Sequence, residues 1–307
     1  MKLLIDRELV YLFGAMTVAL GLATTGGWAL SRTVSGETSE TLRNLRDRVS
    51  SWWQMAAIFV IAVLIGSIGS VVLFGFLSFL ALREFITVTP TRVADHHTLF
   101  WCFFVITPLQ YLLLGLNWYA PFTVLIPVYA FLLVPVRSAL SGDWRNFLER
   151  VAKIQWGLML CVYCVSHAPA LLMLRIPGYI GQNAKLLLFL VAVDEVADVS
   201  QYLLSRFAGK ERMTPSISPG RSWEGLAGGA VIAVLVGAAL SFATPFTPLQ
   251  AAGMALAITT MTFAGAMTMG AIKNDRGITE YGTVLERVDS VCFTAPIFFH
   301  LTKYFFT

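Results

Sequence analysis

The sequence contains few charged residues for its length. Only 13% of its 307 residues are Asp, Glu, Lys or Arg, whereas a soluble domain carries about 25%. The hydrophobic fraction is 57% and the mean hydropathy is +0.71. A soluble core cannot bury this much apolar surface, so the solvent around the chain must be a bilayer. The composition excludes an ordinary soluble enzyme and predicts an all-α polytopic integral membrane protein.

Cysteine is also scarce, and the net charge is small. The four cysteines, Cys102, Cys161, Cys164 and Cys292, all lie in apolar runs, which is typical of small buried hydrophobes and not of a disulfide framework. Cys161, Cys164 and His167 have a metal-like spacing, but a fourth ligand is missing nearby, so packing is favoured. The net charge of +4 is modest and gives no reason to expect a nucleic-acid partner.

Apolar runs long enough to cross a bilayer recur along the chain. A span needs about 20 apolar residues, and this criterion predicts about ten transmembrane helices. The predicted spans are 9–31, 53–68, 70–88, 99–117, 121–138, 154–174, 184–204, 225–243, 249–271 and 289–306. The first is expected to be a transmembrane helix and not a cleaved signal peptide. The second and third form one apolar run, in which we expect a tight turn near Gly69.

The basic residues predict the orientation of these spans. When the loops alternate and 205–224 is placed inside, 17 of the 22 Lys and Arg residues fall on the inside. This bias predicts a multi-pass protein of the cell membrane, with both termini outside and the polar loops cytoplasmic. We expect one membrane domain over 1–307, with a transmembrane scaffold in 1–180 and the functional segments in 184–307.

Three acids interrupt the apolar run 184–204. Ionisable groups at membrane depth normally face the bundle interior or a water-filled cavity. Asp194 and Asp198 are four residues apart and share a helix face with Glu195 beside them. Two carboxylates on one face suit a hard cation such as Mg²⁺. The alternative is that the acids pair with Arg206 or Lys210 at the membrane boundary.

A polar turn precedes the next apolar helix at Ser218–Gly229. Its Pro-Gly pair predicts a turn, and Ser222 is placed to cap the helix that follows. A helix start presents free N–H groups to anions, and Arg221 adds a cation suited to phosphate oxygens. The glycines from Gly225 onward allow a phosphate or another backbone to approach closely. The alternative is that these small residues only serve helix packing.

A second charged segment runs from Lys273 to Ser290. Glu286 and Asp289 are three residues apart and share a face if the last helix begins near Val284. Asp289 then lies near a helix start, where the dipole favours a carboxylate. Metal binding and dipole pairing both remain open for this residue.

Together the three segments resemble the phosphatidate cytidylyltransferase (CDP-diacylglycerol synthase) family. The resemblance covers about Asp194–Pro296. Ser218–Gly229 is similar to the family's Ser-Pro-Gly-Lys-Thr-x-Glu-Gly-x-x-Gly-Gly, and Leu285–Ser290 to its closing Leu-Asp-Arg-x-Asp-Ser. Phe293–Pro296 fits the family's last helix, and Phe79–Phe85 resembles an upstream family segment.

The resemblance implies an enzyme of phospholipid biosynthesis. Such enzymes join CTP and phosphatidic acid to give CDP-diacylglycerol and pyrophosphate, with Mg²⁺ as cofactor. By this resemblance the catalytic residues are Asp198, Lys273 and Arg287, the substrate-binding residues are Ser218, Pro219, Gly220, Arg221, Ser222, Glu224 and Gly225, and the metal ligands are Asp198, Glu286 and Asp289, with Asp194 and Glu195 as further candidates. A homodimer is left open.

The chain departs from the family pattern at several positions. Ala266 stands where the family has Asp, and Lys273-Asn274 replaces Lys-Arg. Arg221 replaces Lys, Glu286 replaces Asp, and the family's Pro-Gly-His-Gly-Gly segment is missing. These departures keep open a non-catalytic or substrate-shifted paralogue that binds a lipid phosphate or nucleotide. A transporter that uses the intramembrane acids as a proton relay is a third hypothesis.

Overall fold

The computed structural model describes residues 37–214, 217–278 and 284–307, with scattered positions between residues 10 and 25. The predicted span 9–31 otherwise lies outside the described residues. The elements in chain order are α1 Glu37–Val88, α2 Val93–Gly115, α3 Tyr119–Ala139, α4 Phe147–Leu171, α5 Ala184–Phe207, β1 Arg212–Thr214, β2 Ser218–Ser222, α6 Trp223–Ala243, α7 Pro248–Arg276, α8 Leu285–Val288 and α9 Val291–Phe306.

Six stretches of the described chain are helical, long and apolar enough to cross a membrane. They are Gly66–Val88 within α1, and α2, α3, α4, α6 and α7. Helix α5 has 24 residues but carries the three carboxylates, and α9 is apolar with 16 residues. The prediction of an all-α membrane protein is confirmed by this architecture, while the count of ten spans stays a prediction.

The break between the second and third predicted spans lies at Gly66. Its φ of 86° and ψ of −175° interrupt the helical backbone of α1. Glycine adopts a positive φ at little cost because it has no Cβ. The expected turn near Gly69 was therefore misplaced by three residues, and the chain on both sides of Gly66 is helical.

Helices α4 and α5 form the centre of the bundle. Ile154 and Leu158 of α4 and Leu187 and Leu190 of α5 are almost completely buried. The outer helices instead expose apolar side chains, such as Leu235 of α6. This arrangement suits a lipid solvent, in which an exposed apolar side chain carries no penalty.

A short antiparallel ribbon connects α5 to α6. Arg212 pairs with Ser222 and Thr214 pairs with Ser218 across its two strands. The side-chain amide of Asn274, in the last turn of α7, donates a 3.1 Å hydrogen bond to the carbonyl of Ile217. This contact docks the ribbon on the end of α7, so α5, α6 and α7 share one polar end.

Candidate active site

Asp194 lies at the centre of the polar layer between α5 and α7. Its side chain is buried, and its Oδ1 accepts a hydrogen bond from the hydroxyl of Thr262 on α7. The hydroxyl of Ser290, just before α9, also bonds to this carboxylate. A buried carboxylate requires such partners, since an unpaired charge in the interior is very costly. Asp194 therefore connects α5 to α7 and to the segment before α9.

Asp198 lies one helical turn further along α5 and pairs with Arg221. The Arg221 Nη2 donates to Asp198 Oδ1 at 2.6 Å, and its Nη1 donates to Gln201 Oε1 at 2.7 Å. Both charged side chains are partly buried, with exposures of 14% and 21%. Charge-assisted bonds of this length are the strong ones in proteins. Arg221 is thus one partner of Asp198, and the alternative pairing of the acids with Arg206 or Lys210 stays a prediction.

Ser222 caps the start of α6, as the spacing predicts. Its Oγ accepts from the N–H of Gly225 at 3.0 Å, and its own N–H donates to Ser205 Oγ at 3.0 Å. Glu224, in the first turn, accepts from the N–H of Lys210 at 3.2 Å. An acid at a helix start is favoured by the dipole. These bonds fix the polar turn on the end of α5.

The glycines of α6 pack directly against α5. A Cβ at Gly225 would lie 1.9 Å from Ser205 Oγ, and one at Gly229 would lie 2.7 Å from the backbone nitrogen of Gln201. Only glycine permits this helix separation. The packing alternative therefore accounts for both glycines, and substrate contact at Gly225 stays a prediction.

The C-terminal motif is held by a residue from a distant helix. Glu84, near the end of α1, accepts hydrogen bonds from the N–H of Leu285 at 2.7 Å and of Val284 at 3.0 Å. These N–H groups open α8, so the carboxylate satisfies donors that a helix start leaves unpaired. Glu84 thereby positions the short helix whose backbone carries Glu286 and Arg287.

The structure brings some of the predicted site residues together and leaves others apart. Asp194, Asp198 and Arg221 are brought into one polar layer, and Glu195 is half-buried beside them on α5. Asp289 lies between α8 and α9, where its Oδ1 accepts from the N–H of Ser290 at 2.7 Å. Lys273 lies in the last turn of α7, and Ser218 and Gly220 lie on β2. The side chains of Glu286, Arg287 and Pro219 are outside the described set.

The carboxylates partly fit a magnesium site. Over the residues open to description, no group of three or more His, Cys, Asp or Glu side chains is arranged to hold a metal. Mg²⁺ often uses only one or two carboxylates and completes its coordination with water and substrate phosphates. Asp194 and Asp198 are close enough to repel each other electrostatically, so the α5 face fits that mode. Ala266 lies one turn beyond Thr262 on α7 and contributes no ligand.

Several residues of this layer escaped the sequence analysis. Thr262, Gln201 and Ser205 are single polar residues in long helices, and their partners lie on other elements of the chain. Sequence spacing alone does not reveal such contacts. Glu84 had a signal, because it lies in the Phe79–Phe85 segment that resembles the family, although its capping role was not foreseen.

Comparison with known protein families gives one family match. The model of the cytidylyltransferase family matches residues 46–305, which includes α1 from its third turn onward and every element of the candidate site. The match therefore extends well beyond the three motif segments into the N-terminal scaffold.

Three relatives illustrate this match, one along almost its whole length and two over part of it. The uncharacterized protein YnbB of Escherichia coli (strain K12) is 34% identical over 98% of this chain and 99% of its own length. A phosphatidate cytidylyltransferase of Haemophilus influenzae is 31% identical over 39% of this chain and 46% of its own length. One from Pseudomonas aeruginosa is 27% identical over 61% of this chain and 66% of its own length.

Proposed function

The chain belongs to the cytidylyltransferase family, and from this membership we propose that it transfers the cytidylyl group of CTP to phosphatidic acid. The products are CDP-diacylglycerol and pyrophosphate, and the process is phospholipid biosynthesis. The named relatives that are phosphatidate cytidylyltransferases support this substrate pair. The observation that carries the proposal is the polar layer of Asp194, Asp198 and Arg221, built at the end of helices that are otherwise apolar.

The reaction brings two anions together. A phosphate oxygen of phosphatidic acid attacks the α-phosphorus of CTP, and the bond from that phosphorus to the bridging oxygen of the β-phosphate breaks as pyrophosphate leaves. Cationic groups must hold the phosphates in line and reduce their repulsion. Arg221, Lys273 and Arg287 would contact phosphate oxygens.

Magnesium completes the proposed site. Asp198, Glu286 and Asp289 would hold it, with Asp194 and Glu195 as further candidate ligands. When bound, the ion neutralises phosphate charge and polarises the phosphorus–oxygen bonds. Within the chain itself, Arg221 fixes Asp198, and Thr262 and Ser290 fix Asp194, so the carboxylates keep one orientation.

The membrane setting suits this chemistry. Lipid substrate reaches a polar layer at the end of the bundle from the bilayer, and the nucleotide reaches it from water. The bias of basic residues supports a cytoplasmic location for the motif segments, where CTP is made. A multi-pass position in the cell membrane follows from the same proposal.

The proposal is tested by incubating purified protein with labelled CTP, phosphatidic acid and Mg²⁺ and then extracting the lipid phase. We expect label in a CDP-lipid, and we expect the Asp198→Asn variant to lose it. If the lipid phase stays unlabelled while a family enzyme assayed in parallel labels its product, the proposed reaction is wrong for this chain.

A substrate-shifted or non-catalytic paralogue is the second candidate, and Ala266 favours it. This residue lies on α7 next to the layer, where the family pattern has a carboxylate. Binding of CTP with Mg²⁺ separates the two candidates, because a paralogue without nucleotide chemistry would bind lipid phosphate but not CTP. Ala266→Asp adds the missing carboxylate. A gain in CTP binding in this variant would identify Ala266 as the reason why the unmodified chain does not bind CTP.

A further inference from the structure

A cavity of about 300 Å³ opens at the end of the bundle opposite the motif segments. Its walls come from the ends of α2, α4 and α9 and from the start of α3, and they include Tyr119, Phe122, Leu174, Arg175, Phe299 and Lys303. Helix α9 rises about 1.5 Å per residue, so Lys303 lies roughly 20 Å along the bundle from Asp289. The cavity is therefore separate from the candidate active site.

Two cations line this cavity. In the part of the chain open to description, neither Arg175 nor Lys303 forms an ion pair with a carboxylate. The segments that close this end of the bundle, 116–118, 172–183 and 299–307, contain no Asp or Glu. Two cations at a cavity with no Asp or Glu in its lining create a positive potential that attracts an anion.

An aromatic residue fixes one of the two cations. The Lys303 Nζ lies 4.1 Å from the centre of the Tyr119 ring, and the Tyr119 hydroxyl is 3.3 Å from Nδ1 of His300. The ring attracts the ammonium group without neutralising it. Trp118 precedes Tyr119, and both are exposed. Exposed Trp and Tyr residues are typical of the membrane–water interface, which places the cavity at the level of lipid headgroups.

Besides Asn117, Tyr119 and Thr307, the rest of the lining is apolar. Leu113, Leu114, Phe122 and Phe299 are buried side chains that face the same space as the two cations. An apolar wall beside a cationic rim matches an amphiphile, because a phosphate can meet the cations while the glycerol and first acyl carbons meet the wall. Basic pockets between transmembrane helices bind anionic headgroups in this way.

We propose that this cavity binds the phosphate group of an anionic phospholipid from the leaflet opposite the motif segments. Arg175 and Lys303 hold the phosphate, and the apolar wall receives the start of the acyl chains. The site depends on neither the proposed reaction nor its metal. A failure of the proposed function would therefore not contradict lipid binding at this cavity, and the reverse also holds.

The test is a titration of the full-length protein in detergent micelles with phosphatidylglycerol, read as the rise in melting temperature. Phosphatidylcholine and inorganic phosphate are titrated in separate arms. A ligand that binds only the folded state raises the melting temperature. We expect phosphatidylglycerol to act at a concentration about tenfold lower than phosphatidylcholine, and inorganic phosphate to have no effect.

Matched variants locate the effect. We expect Arg175→Gln with Lys303→Gln to raise the required phosphatidylglycerol concentration about tenfold. Arg137→Gln with Arg145→Gln removes two cations at the other end of the bundle and should leave the titration unchanged. An unchanged titration in the cavity variant overturns the site. A response to inorganic phosphate that the cavity variant abolishes overturns the lipid as ligand.

Two further variants keep the test decisive if the double variant does not fold. Met173→Trp fills the cavity without changing charge and should weaken the response to phosphatidylglycerol. Lys303→Arg keeps the charge and should preserve it. If Met173→Trp responds like the unmodified protein, the cavity is not the binding site.

Discussion

The guanidinium of Arg221 donates a 2.6 Å hydrogen bond to Oδ1 of Asp198, which lies 23 residues earlier in the chain. The bond connects the polar turn before α6 to the acid-bearing face of α5. It holds the proposed phosphate-binding cation and the proposed metal ligand in direct contact. Each group keeps the other oriented, and neither carries an uncompensated charge into the half-buried layer.

The first prediction concerns the geometry of this pair. Arg221→Lys keeps the charge, but one ammonium group cannot reproduce the fork that reaches both Asp198 and Gln201. A hydrogen bond to a charged group contributes about 1.5–3 kcal/mol, so we expect cytidylyl transfer to fall by roughly 10- to 100-fold. Arg212→Lys, at the exposed first position of β1, is the matched control. Equal turnover in the two variants would contradict the role of the pair.

Local features of this site follow from sequence, whereas contacts between helices do not. Ser222 as the cap of α6 is predicted by its spacing to Gly225, and the structure confirms it. The partner of Asp194 is Thr262, which is 68 residues away on α7. Identifying this partner requires knowing which faces of α5 and α7 meet. Because α7 is apolar on nearly all sides, its hydrophobic periodicity does not reveal which face packs on α5.

The break in α1 shows the same limit on a smaller scale. The sequence Gly66-Ser67-Ile68-Gly69-Ser70 contains two glycines that tolerate a positive φ equally well. The structure uses Gly66, which precedes a buried Ser67. The choice depends on which side chains then face the bundle, and this is a property of the folded structure.

The second prediction concerns Asp289. We expect Asp289→Asn to reduce cytidylyl transfer by about a hundredfold or more, the scale on which one charge-stabilising group acts. The amide retains the acceptor for the N–H of Ser290, so the fold around α9 should persist. Membrane fractionation checks insertion, and the lipid-phase assay checks turnover.

Asp275 provides the control for this variant. It lies two residues from Lys273 and is largely exposed, with Arg276 as its partner. Asp275→Asn removes the same charge from the same end of the bundle and should leave transfer near its original rate. If Asp289→Asn behaves like Asp275→Asn, then Asp289 has only a structural role.

The third prediction concerns the link between α1 and the C-terminal motif. Glu84→Ala leaves the N–H groups of Val284 and Leu285 without their acceptor. Loss of such a partner costs about 1–3 kcal/mol, and we expect a lower melting temperature together with reduced transfer. Glu84→Gln keeps one acceptor oxygen and should recover part of both losses. Arg83→Ala, at the exposed neighbouring position, should lose neither, and an equal loss there would contradict the capping role.

The last prediction separates packing from substrate contact in α6. Gly225→Ala places a Cβ 1.9 Å from Ser205 Oγ and 2.8 Å from the carbonyl of Gln201, so α5 and α6 must move apart. Overpacking of this kind costs about 1–3 kcal/mol, which should appear as a lower melting temperature in detergent. Gly253→Ala is the matched control, because a Cβ there meets no atom within 4 Å and alanine favours the helix. If Gly225 contacted substrate and had no packing role, Gly225→Ala would lower the affinity for CTP and leave the melting temperature unchanged. A packing role lowers the melting temperature even without substrate, and the close approach of Ser205 leads us to expect this second result.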